Sequence, residues 1–400
     1  MQITFVLGVH RSGTSLLTAG LQAAGCDLGT FENRMNEDNP KGEFERRDIV
    51  GFNERLLRHL GVSWDNWGFS ADSEDFRDPA FAPWRAEAAD LLRAAFPAPP
   101  ARACAIKDPR TAGLLPFWTA VAEDLGWTQR HLLVLRPPRE VAESQRQRAL
   151  RRPGGFPVIA DIESMCALWA VTMRTTLSAL PGETLVIRHA ALYEQPEAVL
   201  GQSAAHLGLA VDPAGIARFA ADHLDRGLRR VAGDTDDAAP APGFWQDCAE
   251  RLHAACDPGA ATGLLSPETA RAAAGAAPAL DAALPALPAV RHSLGRLRER
   301  HGTLAAKAAK NRREDLDATL TALSASLLAE GPARTEQLRA LRDRLNRTQR
   351  IPPDPVLLEV KADLDRALAA ALEEAATAPP RKAPSRLSRL RAALTGRGAG

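Results

Sequence analysis

Residues 3–9, ITFVLGV, form a short β-branched apolar run near the start of the chain. A Gly/Ser-rich turn follows, and then Leu16, Leu17, Gly20, Leu21 and Ala24 recur at helical spacing. The pattern predicts strand, loop, helix. Three further apolar runs, at 103–106, 131–135 and 184–187, have the length and composition of buried parallel strands. Helical patterns separate them at 84–96, 139–150, 162–180 and 191–207. Strands alternating with helices predict an α/β fold, a parallel sheet flanked by helices in a P-loop-like three-layer sandwich. Ligands of such sheets sit beyond the carboxyl ends of the strands.

The pattern changes near residue 233. The stretch GDTDDAAPAPG is polar and rich in Pro and Gly, and 255–290 is rich in Ala and Pro with weak periodicity. From His292 the helical period returns: Leu294, Leu297, His301 and Leu304 make one stripe, and Leu316, Leu320, Leu323 and Leu327 another. Gly331-Pro332 and Pro352-Pro353 interrupt it. The expected organisation is a first domain over 1–232, a linker or irregular region over 233–290, and a mostly helical, coiled-coil-like region over 291–400. The last stretch, RKAPSRLSRLRAALTGRGAG, has no acidic residue. It reads either as a solvated tail or as a basic amphipathic helix for peripheral contact with an anionic membrane surface. The leucine stripes offer a route to a homo-oligomer.

Composition narrows the class only a little. Of 400 residues, 45% are hydrophobic and 25% charged, with net charge +1, which fits a globular protein and gives no reason to expect nucleic acid. Five scattered cysteines form no C-x-x-C pair, which argues for a reducing, cytoplasmic setting rather than a disulfide framework or a zinc site. The N-terminus lacks a basic leader, and no stretch is long and apolar enough to span a bilayer.

The chemistry begins at GVHRSGTS, residues 8–15. Gly8, Gly13 and Ser15 keep the spacing of a P-loop, G-x-x-x-x-G-K-[ST], but Thr14 stands at the lysine position. Backbone N–H groups at such a turn, followed by a helix N-terminus, make an anion site. Thr14 and Ser15 add hydroxyls, and Arg11 adds a fixed charge with a planar fork of donors. An NTPase needs the missing lysine and a metal carboxylate. The loop therefore favours a ligand with fewer adjacent phosphates.

This loop resembles the 5′-phosphosulfate loop of sulfotransferases that use 3′-phosphoadenosine 5′-phosphosulfate (PAPS). It is close to the P-R-S-G-T-T form of the protein-tyrosine branch and its bacterial relatives. The family's 3′-phosphate motif is similar to HLLVLRPPREVAES, where Arg136 ends a strand and Ser144 follows eight residues later. The segment 182–209 resembles the family's strand–R-Y-E-D-L–helix piece, with His189-Ala190-Ala191 in place of Tyr-Glu-Asp. HLDRGLRR, 223–230, resembles a basic piece near the nucleotide, which implies Arg229 or Arg230 at the 3′-phosphate.

Further roles follow from the resemblance alone. The loop His10, Arg11, Ser12, Gly13, Thr14 and Ser15 would bind PAPS with Arg136, Ser144 and Arg229, and Arg11 would also steady the breaking bond. NPKGEFERR, 39–47, is similar to a bacterial N-P-x-G-x-x-E segment, which implies Glu45 as general base, with Glu43 its neighbour and rival. Lys107 in AIKDPR would neutralise the sulfuryl group, Asp108 would orient Lys107 or Arg110, and no metal is required. His10 and His59 lie in no matching motif for a histidine base. The acceptor supplies a hydroxyl. Trp64, Trp67 and the basic tail favour one on a carbohydrate or lipid-linked sugar. The alternatives are a P-loop kinase-like phosphotransferase and a degenerate nucleotide domain acting as an interaction protein.

Overall fold

A computed structural model describes residues 1–36, 39–67, 69–71, 73–97, 103–151, 161–210, 213–223 and 242–287. Five strands, β1 (Gln2–Leu7), β2 (Cys104–Lys107), β3 (Thr128–Leu135), β4 (Thr184–Arg188) and β5 (Thr262–Leu265), form one sheet in the order β2-β1-β3-β4-β5. The first four are parallel, and β5 joins β4 antiparallel. The helices up to β3 are α1 (Thr14–Ala23), α2 (Arg47–His59), α3 (Ser73–Arg77), α4 (Ala82–Ala95), α5 (Arg110–Gly113) and α6 (Leu115–Asp124). Beyond it come α7 (Pro138–Arg151), α8 (Ile162–Ala179), α9 (Ala191–Glu194), α10 (Pro196–Leu207), α11 (Pro213–His223), α12 (Phe244–Cys256), α13 (Pro267–Ala274) and α14 (Pro278–Ala283).

The layers follow from the strand alternation. Ile3, Phe5 and Leu7 of β1, with Leu133 and Leu135 of β3, face one core that includes residues of α2, α4, α6, α8 and α12. Val6, Leu132, Val134, Leu185 and Ile187 face the other, which includes residues of α1, α10 and α11. Strands covered on both faces read as continuous apolar runs, which is why the period-2 signal is absent from the sequence. The helix expected over 191–207 is two helices, because Pro196 starts a new one after Gln195 leaves the helical region.

The expectation of a linker or irregular region over 233–290 is corrected for 244–287. Trp245, Cys248, Ala249, Leu252 and Cys256 form a buried helical stripe on α12, and α13 and α14 join the same core. The Glu163 carboxylate of α8 accepts the Trp245 N–H at 3.0 Å, fixing the start of α12. β5 then closes the sheet edge, so the sheet is mixed rather than purely parallel. The helical region and basic tail expected over 291–400 lie outside the described residues. Among the described residues no helix is long and apolar enough to cross a membrane.

One strand residue is expected to weaken the fold in acid. His131 is 1% exposed, stacks on Phe5 at 5.7 Å, and has no hydrogen-bond partner on either ring nitrogen among the described residues. Burial drives its pKa down to about 3. The unfolded chain therefore binds a proton below pH 6.5 that the folded chain refuses until about pH 3, and stability falls with pH across that window. Between pH 6.5 and 5 this single group costs about 2 kcal/mol. Urea unfolding at both pH values is expected to show a smaller acid loss in His131→Leu than in the natural chain.

Candidate functional site

Four parts of the site follow directly from a strand end. The loop after β1 carries His10 to Ser15, β2 ends in Lys107, Arg136 follows β3, and His189 follows β4. These residues surround a cavity of about 370 Å³ at the carboxyl edge of the sheet, a volume suited to a small ligand. The cations Arg11, Lys41, Lys107, Arg110, Arg136 and Arg148 line it, with Glu43 and Glu45 as its acids.

The loop itself is held in an unusual conformation. Gly13, at φ 94°, caps α1, and Arg11 takes φ 73°, a left-handed backbone that a non-glycine residue adopts at a cost. Arg136 stabilises it by donating Nη1 to the Arg11 carbonyl at 2.8 Å, while its Nε pairs with Glu140 at 3.1 Å. Arg11 Nε donates to Ser144 Oγ at 3.2 Å. The first loop and the Arg136–Ser144 motif, far apart in sequence, are thus joined into one continuous cation-lined cradle. Arg148, four residues after Ser144, lies on the same face of α7 and also lines the cavity.

Lys107, from the neighbouring strand, reaches the end of this loop. Its side chain is 2% exposed, and its ammonium donates to Ser15 Oγ at 2.9 Å, the Glu43 carbonyl at 2.7 Å and Glu45 Oε1 at 2.6 Å. Glu45 also lies 3.8 Å from Arg110 Nη1. Burial pushes the Glu45 carboxyl up, against the pull of Lys107, which raises its basicity. The Glu43 side chain instead accepts from Asn36 Nδ2 at 2.6 Å, within its own loop. Of the two acids, Glu45 is the one hydrogen-bonded to Lys107.

Asp108 is fully buried and does not line the cavity. It accepts from Arg110 at 2.9 Å and from Asn53 Nδ2 at 2.8 Å, while Asn53 takes the Trp118 N–H at 3.0 Å. It therefore orients Arg110, and Lys107 is oriented by Glu45. An acid so enclosed is poorly placed as the metal carboxylate of a kinase-like site. Among the described residues no group of three His, Cys, Asp or Glu is placed to hold a metal ion.

The remaining residues divide clearly. His10 lines the cavity, its ring 4.3 Å from that of Trp64. Burial, with the cations Arg110, Arg148, Lys107 and Arg11, holds its pKa well below 6.5, so it is a neutral imidazole at neutral pH. Thr14 lines the cavity as expected. Ser12 does not: it is buried, with its N–H closing the turn onto Val9 at 3.1 Å. Trp67 corrects the expectation of a stacking platform, because it is 1% exposed and packs on Trp245 at 4.9 Å. His59 packs on Trp84 at 5.0 Å, away from the cavity. Arg229 and Arg230 lie outside the described residues. His189, Tyr193, Lys41 and Arg148 are lining residues that the sequence reading did not assign.

No family model matches the chain, and no curated protein matches it. Among solved structures it is similar to the sulfotransferase domain from the Synechococcus PCC 7002 olefin synthase, with a TM-score of 0.37 and 17% identity, over 64% of this chain and 94% of that one. What the site can do rests on its own geometry, a cationic cradle at a sheet edge with one half-buried carboxylate of raised pKa.

Proposed function

We propose that this chain is a sulfotransferase that moves a sulfuryl group from PAPS to an acceptor hydroxyl. The observation that carries this reading is the joined cradle, in which Arg11 links the loop to Ser144 and Arg136 holds the loop from below. Two anion positions with a basic wall suit a nucleotide bearing separate 5′ and 3′ groups. PAPS is the co-substrate in this reading.

The residues then take definite roles. The loop from His10 to Ser15 holds the 5′-phosphosulfate, and Arg136 and Ser144 hold the 3′-phosphate. Glu45 takes the proton of the acceptor hydroxyl. The acceptor oxygen forms its bond to sulfur as the bond from sulfur to the 5′-phosphate oxygen breaks. Products are a sulfate ester and adenosine 3′,5′-bisphosphate (PAP), whose phosphate oxygen receives the electron pair. Arg11 and Lys107 stabilise the charge that develops on the bridging and sulfuryl oxygens. Lys107 has three donors already engaged, so it exchanges one partner as the sulfuryl group arrives.

Isothermal titration tests the reading. PAP is expected to bind in the micromolar range and ATP–Mg²⁺ much more weakly. Arg136→Ala should weaken PAP by roughly 10-fold to 100-fold, the range for a lost charge-assisted contact. Equal binding of ATP–Mg²⁺ and PAP would overturn the reading and favour a phosphotransferase.

A further inference from the structure

Ser15 and Lys107 turn their donors onto a single backbone oxygen. Ser15 Oγ donates to the Glu43 carbonyl at 3.0 Å, and Lys107 Nζ donates to it at 2.7 Å. A serine hydroxyl has one donor, so that of Ser15 is fully committed. Lys107 has three, which go to Ser15 Oγ, the Glu43 carbonyl and Glu45. The Glu43 oxygen thus takes the donors that an anionic ligand would need at this end of the loop. Moving that one atom releases two of them at once.

The backbone that aims this oxygen is strained. Phe44 takes φ 55°, a left-handed conformation that a bulky residue adopts only at a cost. The carbonyl and N–H of a trans peptide point in opposite directions, and the Phe44 N–H donates to Asn33 Oδ1 at 2.9 Å. The chain around this peptide is fixed. The Glu43 N–H donates to the Arg34 carbonyl at 2.9 Å, the Glu43 carboxylate accepts from Asn36 Nδ2 at 2.6 Å, and Phe44 is buried in the core that includes α1. What is left to move is the peptide itself.

We propose that the Glu43–Phe44 peptide is a two-state switch that turns over when an anion enters the cavity. A half-turn between the two Cα atoms leaves both side chains in place. It takes φ of Phe44 from 55° to about −125°, in the extended region open to any L-residue. Glu43 has no positive φ, so the matching change in its ψ exchanges the α and β regions, both of them open. The carbonyl then faces Asn33, whose side-chain amide carries a donor as well as an acceptor and pairs with it. The Phe44 N–H faces the cavity and joins Ser15 and Lys107 as a third donor. A carbonyl oxygen repels an anionic oxygen and an N–H attracts it, so the anion binds the turned form more tightly and draws the peptide into it. Relief of the strain at Phe44 offsets part of the cost of parting Ser15 and Lys107 from the carbonyl. The inference rests on the reading of this cavity as an anion site, but not on sulfuryl transfer.

The test reads this one peptide in the full chain. Glu-Phe occurs once in the sequence, so isotope labels on glutamate carbonyl carbons and phenylalanine amide nitrogens give a single NMR correlation peak for it. Titration with inorganic sulfate, and separately with PAP, is expected to move that peak. Its amide proton should shift downfield on meeting an anion, and its carbonyl carbon upfield on losing two donors. Phe44→Ala and Phe44→Gly both lose the ring and differ by one Cβ, so their comparison isolates the left-handed backbone. Glycine removes the strain from the unturned form. It should bind sulfate roughly fivefold more weakly than alanine and be the more stable of the two without sulfate. Equal sulfate affinity in the two variants, or a peak that stays in place while sulfate or PAP binds, overturns the proposal. Should the variants fail to fold, crystals of the natural chain soaked in sulfate decide it: a Glu43 carbonyl facing Asn33 upholds the switch, and one still facing Lys107 overturns it. A peak that moves with sulfate in a chain that ignores PAP upholds the switch and sinks the sulfotransferase reading. Micromolar PAP binding with a fixed peak does the reverse, and a chain that binds neither ends both.

Discussion

Lys107→Met is expected to abolish sulfuryl transfer and to cost the fold about 3 kcal/mol. The lysine touches Ser15 of the loop after β1, the Glu43 carbonyl and the Glu45 carboxylate at once. Its removal leaves Glu45, 16% exposed, with only the longer contact to Arg110. Breaking a buried pair from one side costs more than the pair contributes, because the remaining charge is desolvated and alone. The signature is pH-dependent. A carboxyl whose folded pKa is raised binds more protons folded than unfolded just above pH 4.5, so its contribution to stability falls as pH rises through that window. Losing Lys107 raises it further, so the deficit of the variant should be larger at pH 8 than at pH 5. Adding Glu45→Gln should restore most of the stability and none of the activity. Urea unfolding of the single and double variants at both pH values, with PAPS turnover, checks this. A double variant as unstable as Lys107→Met would show that the unpaired carboxylate is not the cause.

The parts of the site legible in the sequence are those that lie within one local segment. The strand–loop–helix at 3–24 carries its own periodicity and its glycines, and the eight-residue step from Arg136 to Ser144 fits within one strand end and the first turns of a helix. Lys107 was legible as a charge at a strand end. Its contact with Ser15 was not, because Lys107 and Ser15 meet only when β2 pairs with β1. The same holds for His189, brought over Gly13 by β4 and β3 rather than by any local signal. α6 escaped because it is buried nearly all round and has no polar face to set a period. β5 is four residues with a central glycine, too short for a strand pattern, and the Ala-rich composition around α12 masked the stripe from Trp245 to Cys256. A fold whose strands are covered on both faces announces its strands clearly and their order hardly at all. The cradle is a product of that order.

Gly13→Ala tests the cradle at its tightest point, and a loss of about 3 kcal/mol of stability, with loss of PAP binding, is expected. Two separate causes contribute. The backbone at φ 94° is one that L-residues adopt only at a cost. A methyl group at Gly13 would also stand 2.5 Å from His189 Cδ2 and 3.1 Å from its Nε2. His189 cannot simply retreat, since it is 7% exposed, its N–H is bound to the Leu135 carbonyl at 2.8 Å, and its ring lies 5.5 Å from that of Tyr193. The loop would have to shift instead, and Arg11 would lose its register with Ser144 and Arg136. The two causes separate in a double variant. Gly13→Ala with His189→Ala removes the collision and keeps the backbone cost, so it should recover roughly half of the lost stability and part of the PAP affinity. Urea unfolding and PAP titration of the three variants read this directly. No recovery in the double variant would mean that the backbone alone dictates glycine and that His189 is a bystander. Recovery would place His189 as the side chain that sets the height of the loop above the sheet, and so the depth at which the 5′ group of the nucleotide sits.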